Sequence, residues 1–177
     1  GQSIEERDGE EKMSYYPNIG AIHLGNGRSR FRVWAPFRKK VEVRLIGAGR
    51  TVSLAAEDRG YWSAEIDGAG PGERYLFRLD EEIERPDPAS FFQPESVHGP
   101  SEILDLDFDW HDRGWSGPLL NDYIFYEAHV GTFTPEGAFA SMISRLDYLV
   151  DLGVTSLGIM PVAQFPGERN WGYDGVY

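Results

Sequence analysis

The residues best suited to chemistry lie together in the stretch ERNWGYDGVY, which runs from Glu168 to Tyr177. It places the aromatic rings of Trp171 and Tyr173 close to the carboxylate of Asp174, with glycines among them. The stretch directly follows an apolar run that is typical of a buried strand. A loop of this composition at the end of a strand predicts the rim of a binding site.

Each of these side chains also has a purely structural interpretation. Trp171 and Tyr173 could pack within the loop, and Asp174 with Gly175 forms a dipeptide that is common in tight turns. Tryptophans elsewhere could form a platform for a sugar, but such residues more often pack in a core or a domain interface: Trp34, Trp62, Trp110 and Trp115. Residue types alone therefore leave binding and packing roles open.

A second pair of polar residues, Glu127 and His129, lies two positions apart in an apolar run. On a strand both side chains would share one face, where a buried, mutually satisfied pair is favoured over direct contact with a substrate. Metal binding is not expected, because the chain has no cysteine and its four histidines lack ligand spacing: His23, His98, His111 and His129. No other cofactor is indicated.

Composition restricts the class of partner. The formal net charge of −12 argues against a nucleic acid, whereas a neutral ligand such as a sugar is compatible with it. No apolar run approaches the roughly 20 residues that a membrane helix needs, so a membrane partner is not expected. The polar, acidic start of the chain and the absence of cysteine fit a cytoplasmic protein.

Period-two alternation of apolar and polar residues begins near residue 20 and indicates strands with one buried face. The runs are separated by turn signals such as GNG, GAG and DRG. We therefore predict an antiparallel β-sandwich over residues 20–107. Residues 1–19 are interpreted as a solvated leader or a tag remnant. The residues expected inside the sandwich are Phe31, Val33, Val43, Leu45, Trp62, Ile66, Tyr75 and Phe77.

A proline-rich stretch, ERPDPASFFQPESVHGPSEILD, closes the predicted sandwich. Its four prolines exclude a helix and a central strand. We predict an ordered loop, because Phe91, Phe92 and Val97 need apolar surroundings in which to pack. Residues 108–121 are expected to form a connector.

The pattern changes over residues 122–177. DYIFYEAHVGTF predicts a strand buried on both faces, GAFASMISRLDYLVDLG predicts one helix that ends at Gly153, and VTSLGIMPV predicts a second buried strand. Together they predict a βαβ unit with parallel strands. This segment is far shorter than the roughly 250 residues of a (β/α)₈ barrel, so the chain is expected to stop within such a barrel. A homodimer, or folding of this unit onto the sandwich, is expected to cover the apolar faces left open.

Four stretches carry a family resemblance: FRVWAP, PDPASFFQPESVHGPSEILD, YEAHVGTFTPEGAF and LGVTSLGIMPVAQFPGERNWGYDGVY. Together, from Gly20 to Tyr177, they resemble the alpha-amylase family of glycoside hydrolases. The proline-rich stretch favours trehalose-releasing members that act on maltooligosyl trehalose. Branching and debranching enzymes of the same architecture are the alternative. A non-catalytic glucan-binding module is a further possibility.

The resemblance implies a mainly β chain in two parts. An immunoglobulin-like sandwich of the early-set, carbohydrate-binding-module type precedes strand one, helix one and strand two of the barrel. In the family, the tyrosine of the WGYD motif, here Tyr173, stacks on the sugar before the scissile bond, and Asp174 and Trp171 flank the pocket. The reaction is retaining glycoside hydrolysis, and its catalytic carboxylates come from later strands. No catalytic residue is thus expected here, and the chain alone should be inactive on the α-glucan.

Overall fold

The computed structural model describes residues 18–177, so the predicted leader lies outside the described residues except for its last two positions. Strands dominate the described part, as the mainly β prediction requires. In chain order they are β1 (Gly20–Gly25), β2 (Arg28–Trp34), β3 (Val41–Leu45), β4 (Arg50–Ser53), β5 (Ala55–Ala56), β6 (Tyr61–Asp67), β7 (Arg74–Leu79), β8 (Ile83–Arg85), β9 (Ser101–Glu102), β10 (Phe125–Ala128) and β11 (Ser156–Ile159). The α-helices are α1 (Val130–Phe133), α2 (Phe139–Ile143) and α3 (Leu146–Asp151).

The first nine strands form two antiparallel sheets. One sheet has the order β1-β2-β6-β5, and the other has the order β4-β3-β7-β8, with β9 added beside β7. Short 3-10 turns lie at Asp58–Gly60 and Leu120–Asp122. The antiparallel sandwich predicted from the alternation is confirmed.

The core lies between the inner faces of these two sheets. Phe31 of β2 packs edge-to-face on Tyr75 of β7, with ring centroids 5.0 Å apart, and Tyr75 contacts Phe77 at 5.9 Å. Arg32 points the other way, where it pairs with Glu57 at 2.9 Å. The predicted register is therefore correct. Seven of the expected core residues are buried, and Trp62 packs against them partly buried.

A buried carboxylate anchors the proline-rich segment to this core. The hydroxyl of Tyr75 donates to Oδ2 of Asp87 at 2.7 Å, and the Ala89 amide donates to Oδ1 at 2.8 Å. The Asp87 amide in turn donates to Oγ of Ser101 at 3.0 Å. Burial raises the pKa of Asp87 to about 6 despite these donors. The segment is therefore an ordered loop, as predicted.

Packing in the proline-rich segment follows the prediction only in part. Val97 is buried, whereas Phe91 and Phe92 are exposed. The expectation that both phenylalanines pack inside is wrong for the described chain. Hydrogen bonds rather than ring burial hold this part of the loop, since the Phe92 carbonyl accepts from the Glu102 amide at 2.9 Å.

The strand–helix–strand unit exists, and its two strands are parallel. Strand β10 pairs with β11 in a register that sets Phe125 opposite Ser156 and Ala128 opposite Ile159. However, β10 ends at Ala128, and the residues after His129 turn into α1. Phe125 is 71% exposed, so the prediction of a strand buried on both faces is wrong for the described residues. Among the described residues, Tyr123 stacks on the Phe125 ring with centroids 5.3 Å apart and leaves most of that ring exposed.

The predicted single helix is divided into α2 and α3. The break follows Ile143, where Oγ of Ser144 donates to the Ser141 carbonyl at 2.6 Å. Such local side-chain bonds compete with the helical hydrogen-bond ladder. Met142 and Leu149 are buried, but the rest of the predicted apolar stripe is exposed: Phe139, Ile143, Leu146 and Val150. Gly153 ends the segment with a φ of 90°, as predicted for a position that favours glycine.

We expect Asp87→Asn to flatten the pH dependence of stability between about pH 4 and pH 7. The folded-state pKa of Asp87 lies above its unfolded value, so its stabilising contribution is complete below the unfolded pKa and is lost as pH rises through about 6. Asparagine does not titrate and removes this slope, which amounts to a few kcal/mol at most. Urea unfolding at several pH values measures it.

Asp80→Asn is the matched control for this measurement. The amides of Lys39 and Lys40 donate to Asp80 and lower its pKa, so Asp80 titrates below the pH window in question. Its replacement should leave the slope between about pH 5 and pH 7 unchanged. Equal slopes for wild type and Asp87→Asn would show that Asp87 does not titrate there.

Candidate functional site

A cavity of about 860 Å³ opens at the carboxyl ends of β10 and β11. Its walls come from His129 and Val130 after β10, from Met160 and Pro161 after β11, and from the loop that reaches Trp171. Parallel strands of α/β folds place their ligands at this end, because the loops that follow the strands converge there. The position therefore agrees with the binding rim predicted from the sequence.

The cavity wall combines apolar surface with a few polar groups. Val162, Ala163 and Phe165 supply apolar surface, and Glu168 and Arg169 supply one charge of each sign. A wall of this kind suits a ligand with both apolar faces and hydroxyl groups.

Of the three predicted site residues, only Trp171 lines the cavity. Its side chain is 79% exposed, and that of Tyr173 is 74% exposed. Asp174 is exposed as well. The structure thus brings the three residues together on one loop beside the cavity, with Trp171 at its wall and the other two next to it in the chain.

Asn170 organises this loop. Its Oδ1 atom accepts hydrogen bonds from the amides of Gly172 at 2.7 Å, Tyr173 at 3.2 Å and Asp174 at 3.4 Å. One side-chain oxygen therefore holds the backbone of the last three residues of the WGYD motif. The sequence reasoning missed Asn170, although asparagine two residues before a glycine is a known turn signal.

Two glycines allow the loop to lie against the segment that follows β11. Gly172 has a φ of 96°, and a Cβ atom there would meet the Pro161 carbonyl oxygen at 2.7 Å. A Cβ atom on Gly175 would meet that of Ala163 at 2.6 Å. Both contacts are closer than a side chain permits, so the loop conformation requires glycine at these positions.

His129 contacts the same loop from the end of β10. Its Nε2 atom lies 2.6 Å from the Asn170 carbonyl oxygen, and because a carbonyl only accepts, Nε2 carries the hydrogen. Nδ1 is buried and has no partner among the described residues. Glu127 is exposed, so the predicted buried Glu–His network is not formed. The strand ends before His129, which therefore turns toward Asn170.

The end of the loop reaches the sandwich. Tyr177 lines a second cavity of about 310 Å³, together with Trp34 of β2 and with Pro86 and Pro88 of the proline-rich segment. Burial raises the pKa of Tyr177, and the nearby charge of Asp87 adds to the effect. The Val176 amide also donates to the Gln164 carbonyl at 2.8 Å. Val176 and Tyr177 thus also have contacts outside the loop.

The described residues contain no group of three or more His, Cys, Asp or Glu side chains arranged to hold a metal ion. Between residues 18 and 177, no helix has the length and apolar character needed to cross a membrane.

Comparison with known sequences identifies relatives along most of the chain. The chain is 47% identical to a malto-oligosyltrehalose trehalohydrolase from Saccharolobus solfataricus over 83% of its own length and 26% of that protein. It is 45% identical to the enzyme of the same name from Deinococcus radiodurans, over 89% of this chain and 26% of that enzyme. A 1,4-alpha-glucan branching enzyme from Deinococcus radiodurans is 32% identical, over 81% of this chain and 23% of that enzyme. No protein-family model matches the chain.

Solved structures agree with this result. A Salmonella typhimurium protein assigned as an alpha amylase is 43% identical, with a TM-score of 0.83 over 92% of this chain and 28% of its own. A pullulanase from Anoxybacillus sp. LM18-11, solved with maltotetraose, is 25% identical, with a TM-score of 0.72 over 90% of this chain and 28% of its own.

Over most of its length the chain is therefore similar to malto-oligosyltrehalose trehalohydrolases. The solved structures that resemble it are those of a protein assigned as an alpha amylase and of a pullulanase. The chain spans about a quarter of the length of these curated relatives.

Gly172→Ala should loosen the loop far more than Gly167→Ala does. Both glycines have a positive φ, 96° and 89°, but a Cβ atom on Gly167 has open space whereas one on Gly172 overlaps Pro161. The overlap should destabilise the closed loop by about 1–3 kcal/mol beyond the backbone strain common to both variants. Amide hydrogen exchange over residues 170–176 measures this difference. Equal exchange in the two variants would mean that the contact with Pro161 does not hold the loop.

Proposed function

We propose that the complete protein containing this chain hydrolyses the α-1,4-glucosidic bond next to the terminal trehalose of maltooligosyl trehalose and releases trehalose. One observation carries the proposal. Identity to malto-oligosyltrehalose trehalohydrolases reaches 47% and 45%, whereas identity to the branching enzyme over a similar share of the chain is 32%. The net charge of −12 fits a neutral glucan as the ligand.

The proposal extends to the architecture of the complete protein. We assign residues 20–107 to the sandwich, 108–121 to the connector and 122–177 to the first βαβ unit of a (β/α)₈ barrel. The parallel pairing of β10 with β11 supports this assignment. Further barrel strands would cover the exposed apolar side chains of Phe125 and Ile159, and a homodimer is the alternative cover. The cytoplasm is the proposed location.

Tyr173 is the proposed stacking wall of the sugar subsite before the cleaved bond, and Trp171 and Asp174 flank it. The exposed ring of Tyr173 offers an apolar face of the kind on which a pyranose packs. An exposed carboxylate such as that of Asp174 can accept hydrogen bonds from sugar hydroxyls. Trp171 supplies aromatic surface at the cavity wall itself.

The proposed chemistry needs a carboxylate nucleophile and a carboxylic acid about 5–5.5 Å apart. In this reading, both groups belong to later barrel strands, and the present chain contributes one wall of the sugar pocket. We therefore expect residues 1–177 alone to release no trehalose from maltooligosyl trehalose, whereas the complete protein does. Release by the isolated chain would require Asp174 and Glu127 to be reconsidered as the catalytic pair.

Tyr173→Ala in the complete protein should lower kcat/KM by at least about tenfold. The loss combines an aromatic interaction of roughly 0.5–1.5 kcal/mol with the apolar contact of the ring, and about 1.4 kcal/mol corresponds to a factor of ten. Tyr173→Phe should cost less, because the face of the ring remains. Trehalose release from maltooligosyl trehalose measures both variants. Equal losses in the two variants would assign the effect to the hydroxyl instead of the ring.

A branching enzyme is the second candidate, supported by the 32% identity to that class. The two functions differ in their product. Transfer of glucan segments into α-1,6 branches, without release of trehalose, would replace the first proposal by this one.

A further inference from the structure

We propose that His129 and Asn170 form a two-step relay that holds the loop from Trp171 to Asp174 in the conformation that receives the sugar. In this relay the histidine at the end of β10 fixes the backbone of Asn170, and the side chain of Asn170 fixes the loop. His129 also lies in the cavity wall, and the role assigned to it here is that of a positioning residue that acts through Asn170. The role assigned to the loop rests on the proposed function.

The first step of the relay is the bond from Nε2 of His129 to the Asn170 carbonyl oxygen. At 2.6 Å it is a short contact, and it joins residues 41 positions apart in the chain. It links the loop directly to a strand, since His129 immediately follows Ala128, the last residue of β10. A strand in a paired sheet is the most rigid support available near the cavity.

The second step is the Oδ1 atom of Asn170, which accepts from three successive amides of the WGYD motif. The carbonyl of Asn170 thus bonds His129, and its side chain bonds the loop. A shift of its carbonyl would move the oxygen that gathers these amides. Loss of the His129 bond should therefore loosen the backbone at Gly172 and Tyr173, to which His129 makes no hydrogen bond.

The rings on this loop do little to order it themselves. Trp171 and Tyr173 are largely exposed, and among residues 18–177 neither the indole nitrogen nor the tyrosine hydroxyl makes a hydrogen bond. Order in the loop therefore depends on backbone contacts, namely those of Asn170 and the tight approach of Gly172 to Pro161. This dependence gives His129 an effect on a ring that it does not touch.

The experiment compares His129→Gln with His129→Asn in the complete protein. Both replacements are amides, but the glutamine amide reaches about as far as Nε2, whereas the asparagine amide reaches only about as far as Nδ1. We expect His129→Asn to lower kcat/KM by about tenfold. It should also speed amide exchange at Gly172 and Tyr173 by a similar factor. His129→Gln should stay within about threefold of wild type in both measurements.

His98→Gln, at an exposed histidine of the proline-rich segment, serves as the control for loss of a histidine. The thermal midpoint should be nearly equal in all variants, because the relay acts on a surface loop. Equal behaviour of the glutamine and asparagine variants would overturn the relay. Should His129→Asn fail to fold, Asn170→Ala provides the second test, and unchanged exchange at Gly172 would overturn the relay as well.

The two readouts separate this inference from the proposed function. Amide exchange at Gly172 and Tyr173 tests the relay whether or not trehalose is the product. If trehalose is released but His129→Gln and His129→Asn have the same amide exchange and the same kcat/KM, the relay fails and the proposed function stands. If amide exchange is faster in His129→Asn than in His129→Gln but no trehalose appears, the relay stands and the assigned substrate fails.

Discussion

The buried hydrogen bond between Tyr75 and Asp87 is the interaction that joins the parts of this structure. The ring of Tyr75 lies in the core against Phe31 and Phe77, and its hydroxyl leaves the core to reach the carboxylate. Because Asp87 belongs to the proline-rich segment, this bond connects the packed sandwich to a segment that has almost no regular structure of its own. Burial raises the pKa of both groups, and the hydrogen bond gives the buried Asp87 carboxyl group a donor.

The proline-rich segment then connects the sandwich to the candidate site. Pro86 and Pro88 flank Asp87, and they line the groove that contains Tyr177. Tyr177 follows, along the chain, the loop that Asn170 holds through the amides of Gly172, Tyr173 and Asp174. The sandwich therefore supports the WGYD loop from one side, and the β10–β11 pair supports it from the other through His129. This double support links the sandwich physically to the cavity at the ends of β10 and β11.

Features set by local pattern could be predicted from the sequence, and features set by distant contacts could not. Alternation placed Phe31 and Val33 inside correctly, because burial on a strand follows a period of two. Apolar spacing also predicted one helix, but it did not reveal that the Ser144 hydroxyl would interrupt it. In the site, the residue types on the loop drew attention to Trp171. The bond from His129 to Asn170 crosses 41 positions and leaves no local signal.

The exposure of the site aromatics explains why their support lies elsewhere in the chain. A ring that stacks on a sugar has to keep one face free, so it cannot be ordered by burial in the way that Phe31 is. Its position then depends on the backbone beneath it. A glycine that touches Pro161 and an asparagine oxygen that gathers three amides meet this requirement without covering the ring. An exposed aromatic residue on a tightly bonded backbone is therefore more informative about binding than an exposed aromatic residue alone. Trp171 and Tyr173 satisfy that condition. Trp110 and Trp115 are also exposed, but among the described residues they lack a comparable set of backbone bonds.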